Sequence, residues 1–425
     1  MELTERTERL RRHADDLVSA YGSPLYAFFE DDLRANYGTL RDALDEQYPN
    51  SEVHFAVKAN YNLGVLSVLR DAGCKAEAYA RCELTATRRA GFDPEDVLLT
   101  GMNRAPEDIE RALDWGVSHL LVDNATELEK ILVAAEATET VPDMLIRGNP
   151  AMEVPTHPEV ATATRESKFG LDIESGRAMA VARQAVESEF VSLAGVQLHV
   201  GSQIRGVEPY GVAGREMLGF AADVRDELGV EIDVLDLGGG FPVPYDEDVP
   251  DTETIVAHMA ETIRETCAQY DLDEPRLFVE PGRRLVGNAG TFLGTVGVVK
   301  ETPYADFAVL DGGTNAVSSY WPYPVYAVKD REPTRTYHVA GPLCYSGDVL
   351  SEDVPLPELG PGDLVAVDRI GAYSLGSASH TNAEPKPPVV LVRSDGGYDL
   401  LRKRESCDDV LGNDSIPEGL GDERQ

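Results

Sequence analysis

Apolar and polar positions follow two different rhythms along this chain. From about residue 50 to 285, short apolar runs recur: VHFAVKA (53–59), KAEAYA (75–80), DVLLTG (96–101), SHLLVD (118–123), DMLIRGN (143–149), AGVQLHVG (194–201), DVLDLGGG (233–240) and RLFVEPG (276–282). Their length, their Val/Leu/Ile content and their Gly, Pro and Asp edges read as strands. Between them lie stretches such as NLGVLSVLRDAG and NATELEKILVAAEA, with apolar residues at the i, i+3, i+4 and i+7 spacing of a helix. The second opens on an Asn/Asp cap and an acidic first turn. Eight such units predict a (β/α)8 TIM-type barrel, with a doubly wound open sheet as the alternative.

After about residue 286 the rhythm changes. TFLGTVGVVKE, DFAVLDGG, TRTYHVAGPL, DLVAVDRIGAY and PPVVLVR are strand-like and separated by Pro, Gly and Asp turns. The expected division is therefore a barrel over 36–285 and an all-β, barrel-like domain over 286–425, joined by 1–35. SPLYAFFEDDLRANYGTL reads as a strand leading into a helix. PAMEVPTHPEVATATRES (150–167) is a long polar loop, the kind that serves as a lid. The C-terminal DDVLGNDSIPEGLGDERQ is expected to fray.

Composition narrows the partners. With 425 residues and 42% hydrophobic content, two domains can each bury a core. A net charge of -37 disfavours nucleic acid and anionic membranes, whose phosphates would be repelled. Only eight basic residues are lysines, against thirty arginines. An acid-rich, lysine-poor surface fits a salt-adapted, halophilic host. No apolar run is long enough for a bilayer, and the charged start MELTERTERLRRHADD lacks a signal-peptide core, so a cytoplasmic location is expected. The five cysteines, at 74, 82, 267, 344 and 407, are odd in number and lack CxxC spacing. That points to a reducing compartment rather than a disulfide framework or zinc site.

The chemistry gathers where the strands end, as it does in barrels of this type. The first ends in Lys58, the sixth in LHVGSQ with His199 and Ser202, the seventh in Gly238 to Gly240, and the eighth in EPGRR, Glu280 to Arg284. Each has a plain reading: a surface lysine, a core histidine, a tight turn, an ion pair. Together they suit one cofactor. A glycine turn exposes backbone N–H groups to a single phosphate. It fits neither GxxxxGK[ST] nor GxGxxG after a first strand. An imine-forming lysine beside a phosphate cradle suggests pyridoxal 5'-phosphate, with Glu280 on the pyridine nitrogen and His199 stacked on the ring. A metal site is not expected, because the eight histidines are scattered and HExxH is absent. A cofactor-free Schiff-base aldolase would use the lysine but not the glycines or the β domain.

These pieces resemble the fold-type III pyridoxal phosphate decarboxylases, the group of diaminopimelate, ornithine and related decarboxylases, and most the diaminopimelate branch. YGSPLYAF, FAVKAN, SKFGL, LHVGSQ, LDLGGGFPVPY, EPGR, LDGGTN, GPLCYSGD and GAYS stand in family order over nearly the whole chain. The resemblance implies an alanine racemase-like barrel with a β domain, acting as a homodimer with shared active sites on a small amino acid. It implies that Lys58 is the Schiff-base lysine and that His199, Ser202, Gly239, Gly240, Glu280 and Gly282 contact the cofactor. Arg283 would grip a substrate carboxylate. Cys344, donated across the dimer, would return a proton to the α-carbon after CO2 leaves. Tyr373 would reach both cofactor and substrate.

The chain departs from the family pattern in three places, two bearing on the substrate and a smaller one, the third, near the cofactor. The family's C-E-S reads Cys344-Tyr345-Ser346, which places Tyr345 where an acid reads the distal end of diaminopimelate. An ungapped match puts Ser319 where the family has an arginine. The family's S-G-G-E is Ala80-Arg81-Cys82-Glu83. A site without those distal readers would lose discrimination. Ornithine, lysine or a carboxylated intermediate of polyamine or siderophore synthesis are therefore alternative substrates. A racemase, which pairs the ring nitrogen with arginine, and a non-catalytic cofactor carrier are the remaining readings. Glu280 speaks against the first and the intact lysine, cysteine and glycine loop against the second.

Overall fold

Eight parallel strands close on themselves between residues 51 and 279. They are β1 Ser51–Ala56, β2 Lys75–Ala78, β3 Val97–Leu99, β4 His119–Val122, β5 Asp143–Asn149, β6 Ser192–Gln197, β7 Val234–Asp236 and β8 Arg276–Val279. Each pairs with the next, and β8 pairs back onto β1. An open doubly wound sheet is thereby excluded. The computed structural model describes residues 3–152, 163–245, 247–318, 321–418 and 420. The chain divides into two compact units, Glu30–Asn288 and Met1–Phe29 with Ala289–Gln425.

The barrel unit follows the expected alternation. Helix Glu30–Gln47 precedes β1, and a helix follows each strand through to Thr252–Tyr270 after β7 and the short Arg283–Val286 after β8. Asn124 caps helix Ala125–Thr138, accepting from Glu127 N at 3.1 Å, as its sequence foretold. The strands are shorter than their apolar runs. VHFAVKA continues apolar to residue 59, yet the chain leaves the sheet at Ala56 and closes a 3-10 turn over Val57–Ala59. Lys58 therefore stands on that turn, just past the strand. Asn62 then caps helix Leu63–Asp71 by accepting from Gly64 N at 2.9 Å.

Successive strand residues point to opposite faces, and this sets the interior in layers. Leu98, Leu121, Leu145, Val234 and Phe278 form one buried apolar cluster. Gly195 belongs to that layer by exclusion: a Cβ there would press on Leu145 and on Val234. Two residues further along the same strands the buried side chains are Thr100, Asp123, Arg147, Gln197, Asp236 and Glu280. The closed floor and the polar rim are thus one period apart.

The second unit is a mixed sheet, nine-stranded among the described residues. Leu25–Phe29 lies between Gly290–Glu301, antiparallel, and Val389–Val392, parallel. Helix Leu3–Tyr21 packs Leu10, Ala14 and Leu17 onto this sheet in one core with Leu25, Ala27, Leu293 and Val390. Its i, i+4, i+7 stripe is diluted by Arg, Glu and His, which is why sequence patterning missed it. Arg6 reaches Asp368 through two bonds of 2.9 Å, and Thr291 donates to the same carboxylate at 2.6 Å, so the buried pair is satisfied. The C-terminal tail is more ordered than expected: Cys407–Leu411 is helical, with a capping box between Ser406 and Asp409. The tail's last five residues lie outside the described residues, as do 153–162 of the expected lid loop and Ser319. The flanks of that loop meet, Met152 N donating to Ala163 O at 2.7 Å.

Candidate active site

Lys58, His199, the glycine turn and Glu280 stand together at the C-terminal rim of the barrel. Ala56 N donates to Pro281 O at 3.2 Å, so the ends of β1 and β8 are stitched beside Lys58. The lysine is more than a third open, with 37% side-chain exposure. Its Nζ donates to Glu77 Oε2 at 2.7 Å, and Glu77 is buried at 1%. Thr100 Oγ1 donates to the other Glu77 oxygen. A reachable amine fixed by a buried carboxylate is oriented for imine chemistry once it gives up its proton.

The glycine turn follows β7. Gly238 and Gly240 have φ of +65° and +97°, which side chains rarely adopt. A Cβ on Gly239 would strike the carbonyl of Glu280, and one on Gly240 would come within 2.7 Å of Gly201 O. Gly239 N donates to His199 Nδ1 at 3.1 Å, which places the imidazole proton on Nε2. Burial first, then the charges of Lys58 and Arg147, hold His199 well below its usual pKa, so the ring is neutral. A neutral ring can lie on an aromatic cofactor without adding a cation. Gln203, in the left-handed region at φ 55°, clasps Val243 with bonds of 2.7 and 2.8 Å and fixes the far side of the turn. Ser202 beside it is half-buried.

Glu280 is buried and accepts from Gln197 Nε2 at 3.0 Å. Burial and the nearby Glu77 raise its pKa, while Lys58, Asp236 and Arg147 oppose that rise. Gly282 ends the EPG turn and leads into the short helix with Arg283, which is buried and donates to Tyr245 Oη at 3.1 Å. Arg147 stacks over Phe169 of the SKFGL segment at 4.6 Å, and Gly170 N donates to Asp123 at 3.0 Å. In the ARCE stretch, Glu83 Oε2 accepts from Tyr79 N at 2.8 Å while Cys82 is exposed.

Cys344, Tyr345 and Tyr373 belong to the β unit. Asp348 organises the loop that carries Cys344: its carboxylate accepts from Thr314 N at 2.7 Å, Thr314 Oγ1 at 2.8 Å and Leu343 N at 2.8 Å. Cys344 itself is exposed, and Tyr345 is 62% exposed. Tyr373 has φ of +67° and receives Ser377 N and Oγ on its carbonyl oxygen at 3.0 and 2.8 Å. Such a conformation in a non-glycine residue is strained and clusters at functional sites.

The rim fits pyridoxal phosphate: a reachable lysine, a buried acid, a neutral imidazole, and a glycine cradle that any Cβ would fill. Sequence reasoning did not single out Glu77, Gln197 or Asp236, each a polar letter within a largely apolar run of the sequence.

Comparison with known proteins agrees with this geometry. The family described as pyridoxal-dependent decarboxylase, pyridoxal binding domain, matches residues 34–287. The chain belongs to that family. The diaminopimelate decarboxylase of Methanocaldococcus jannaschii is 32% identical over 419 residues, covering 96% of this chain and 94% of that one. The crystal structure of the M. jannaschii enzyme in complex with L-lysine superposes with a TM-score of 0.88 at 31% identity, over 95% of this chain and 94% of that one. The lysine/ornithine decarboxylase of Vibrio vulnificus, complexed with putrescine, gives 0.77 at 26% identity, over 90% and 97%. This chain is a carboxy-lyase of amino acids that uses pyridoxal 5'-phosphate.

Proposed function

We infer that this decarboxylase acts on diaminopimelate and releases CO2 and lysine. The observation that carries the reading is the rim itself, with Lys58, the glycine cradle and Glu280 in place, in a chain similar to a diaminopimelate decarboxylase along nearly its whole length.

Lys58 would be the amine that carries the cofactor. Ser202, Gly239, Gly240 and Gly282 would hold its phosphate through backbone and hydroxyl donors, and Glu280 would take its ring nitrogen. His199, neutral, would cover the ring face. When bound, pyridoxal phosphate supplies an electron sink for the pair left as CO2 departs. Arg283 orients a substrate carboxylate, Tyr373 lines the site, and Cys344 Sγ delivers a proton to the α-carbon. Cys344 sits on an exposed loop, which supports a homodimer whose subunits complete each other's sites. Five free cysteines support a cytoplasmic location, and the net charge of -37 supports a salt-adapted protein. No helix among the described residues is long and apolar enough to cross a membrane.

Ser319 and Tyr345 favour a second reading, a basic amino acid without a distal carboxylate, because the family's arginine and acid are both missing there. CO2 release in molar salt from diaminopimelate, lysine and ornithine decides between them. Fast release from diaminopimelate with equimolar lysine is expected; faster turnover of ornithine or lysine overturns the assignment.

A further inference from the structure

The rim holds an acid that the proposed function does not use. Asp236 ends β7 and is fully buried. Its backbone pairs with Gln197 on one side and with Phe278 on the other. Its Oδ1 accepts from Gly238 N at 2.8 Å, while its Oδ2 is buried and faces no donor. Gln197, its neighbour on β6, reaches Glu280 Oε1 at 3.0 Å, and Glu280 N donates to Gly238 O at 2.7 Å, so the two buried carboxyl groups are neighbours. Neighbouring buried carboxyl groups repel unless one carries a proton, which it can then offer to the other.

We propose that Asp236 holds that proton and donates it to Glu280, which makes Asp236 a positioning residue that keeps Glu280 aimed and singly charged at the cofactor's ring nitrogen. The role for Glu280 rests on the function proposed above; the shared proton does not.

The surrounding charges place the proton on Asp236 rather than on its neighbour. Burial first, then the negative charges of Glu280 and Glu77, raise the Asp236 pKa well above the usual carboxylate range. Glu280 faces Glu77 too, but it also feels Lys58 and Arg147, and it already accepts from Gln197. Gly238 N, donating to Asp236 Oδ1, opposes ionic loss but leaves the second oxygen for the proton. Among the described residues no set of three or more His, Cys, Asp or Glu side chains is arranged to hold a metal ion. A neutral donor on Glu280 spreads its charge and fixes the orientation of its other oxygen.

The test compares the full-length protein with Asp236→Asn and Glu280→Gln. Asn keeps the shape, offers Nδ2 to Glu280 and cannot ionise. Infrared spectra at pH 8, where ordinary carboxyls are ionised, should show a protonated-carboxyl band in the wild type that Asp236→Asn removes. An absent band, or one that survives Asp236→Asn and disappears in Glu280→Gln, overturns the proposal. Thermal unfolding gives a second readout. A folded pKa above the unfolded one contributes stability at low pH and loses it as pH rises towards the folded pKa. The wild type should therefore lose Tm relative to Asp236→Asn from pH 4 to pH 8; parallel curves overturn the idea. Pyridoxal phosphate should bind Asp236→Asn within about threefold of wild type and Asp236→Leu about tenfold or more weakly. If wild type shows the band but takes up no cofactor, the function fails and the shared proton stands.

Discussion

The ring of Leu98, Leu121, Leu145, Val234 and Phe278 and the ring two residues later on the same strands are equally buried and chemically opposite. The first is dry and apolar, and closes the barrel. The second contains Thr100, Asp123, Arg147, Asp236 and Glu280, with Glu77 and Gln197 beside them. Burying polar groups is costly unless they are paired. This ring pairs them: Lys58 with Glu77, Gln197 with Glu280, Asp236 with Gly238. One ring contributes stability and the other gives some of it up to hold acids close together. The difference teaches where to cut: a change in the floor should be felt in folding, and a change in the rim in chemistry.

The largest effect on chemistry should come from Lys58. Lys58→Ala removes a half-exposed side chain but leaves the buried Glu77 without its cation, so some stability is lost while the protein still folds. The absorbance of bound pyridoxal phosphate should disappear, and CO2 release should fall by at least about a thousandfold. A variant that keeps both spectrum and activity would move the cofactor amine elsewhere.

Phe278→Ala and Glu280→Gln sharpen the contrast, because the two residues are two apart on one strand. Phe278 is fully buried and stacks with His54 at 4.5 Å. Truncation should cost about 3–5 kcal/mol, read as a lower unfolding midpoint in denaturant. Glu280→Gln keeps the volume and relieves one of three crowded acids. It should unfold no earlier than wild type, while turnover falls by about a hundredfold or more. Equal losses of stability in both variants would dissolve the distinction between floor and rim.

The same distinction explains what the sequence revealed. Lys58, His199, the glycines and Glu280 sit at or beyond strand ends, where a residue breaks the apolar run and shows itself. Glu77, Gln197 and Asp236 lie inside the runs, and a single polar letter there does not say which face it takes. The period-two step from Leu98 to Thr100, from Val234 to Asp236 and from Phe278 to Glu280 settles it only once the register is known. Strand ends were overcounted for a related reason. Val57 and Ala59 are apolar, yet the backbone leaves the sheet after Ala56 and closes a 3-10 turn. The N-terminal helix escaped notice because charged residues dilute its stripe, although three fully buried residues anchor it.

The barrel's other mouth offers the smallest and cleanest test. Glu52, at the start of β1, is a carboxylate like Glu280 but shifts the opposite way. Burial would raise its pKa, yet hydrogen bonds from His54 and Lys75 outweigh it and hold Glu52 at about 2. The bonds are 3.2 Å from His54 Nε2 and 3.0 Å from Lys75 Nζ, and Arg276 adds a third at 3.1 Å. A folded pKa below the ordinary value of 4.5 means stability that is present above about pH 4.5 and is lost as pH falls towards 2. The full shift corresponds to at most about 3 kcal/mol, reduced by solvent at the mouth. Glu52→Gln should therefore lower the unfolding midpoint at pH 7 modestly and flatten its acid limb, so that wild type and variant converge near pH 2. Curves that stay parallel across that window would show that the cations around Glu52 do not stabilise it. Carboxylates at the two ends of one barrel would then no longer divide into a paired, stabilising set and a crowded, reactive one.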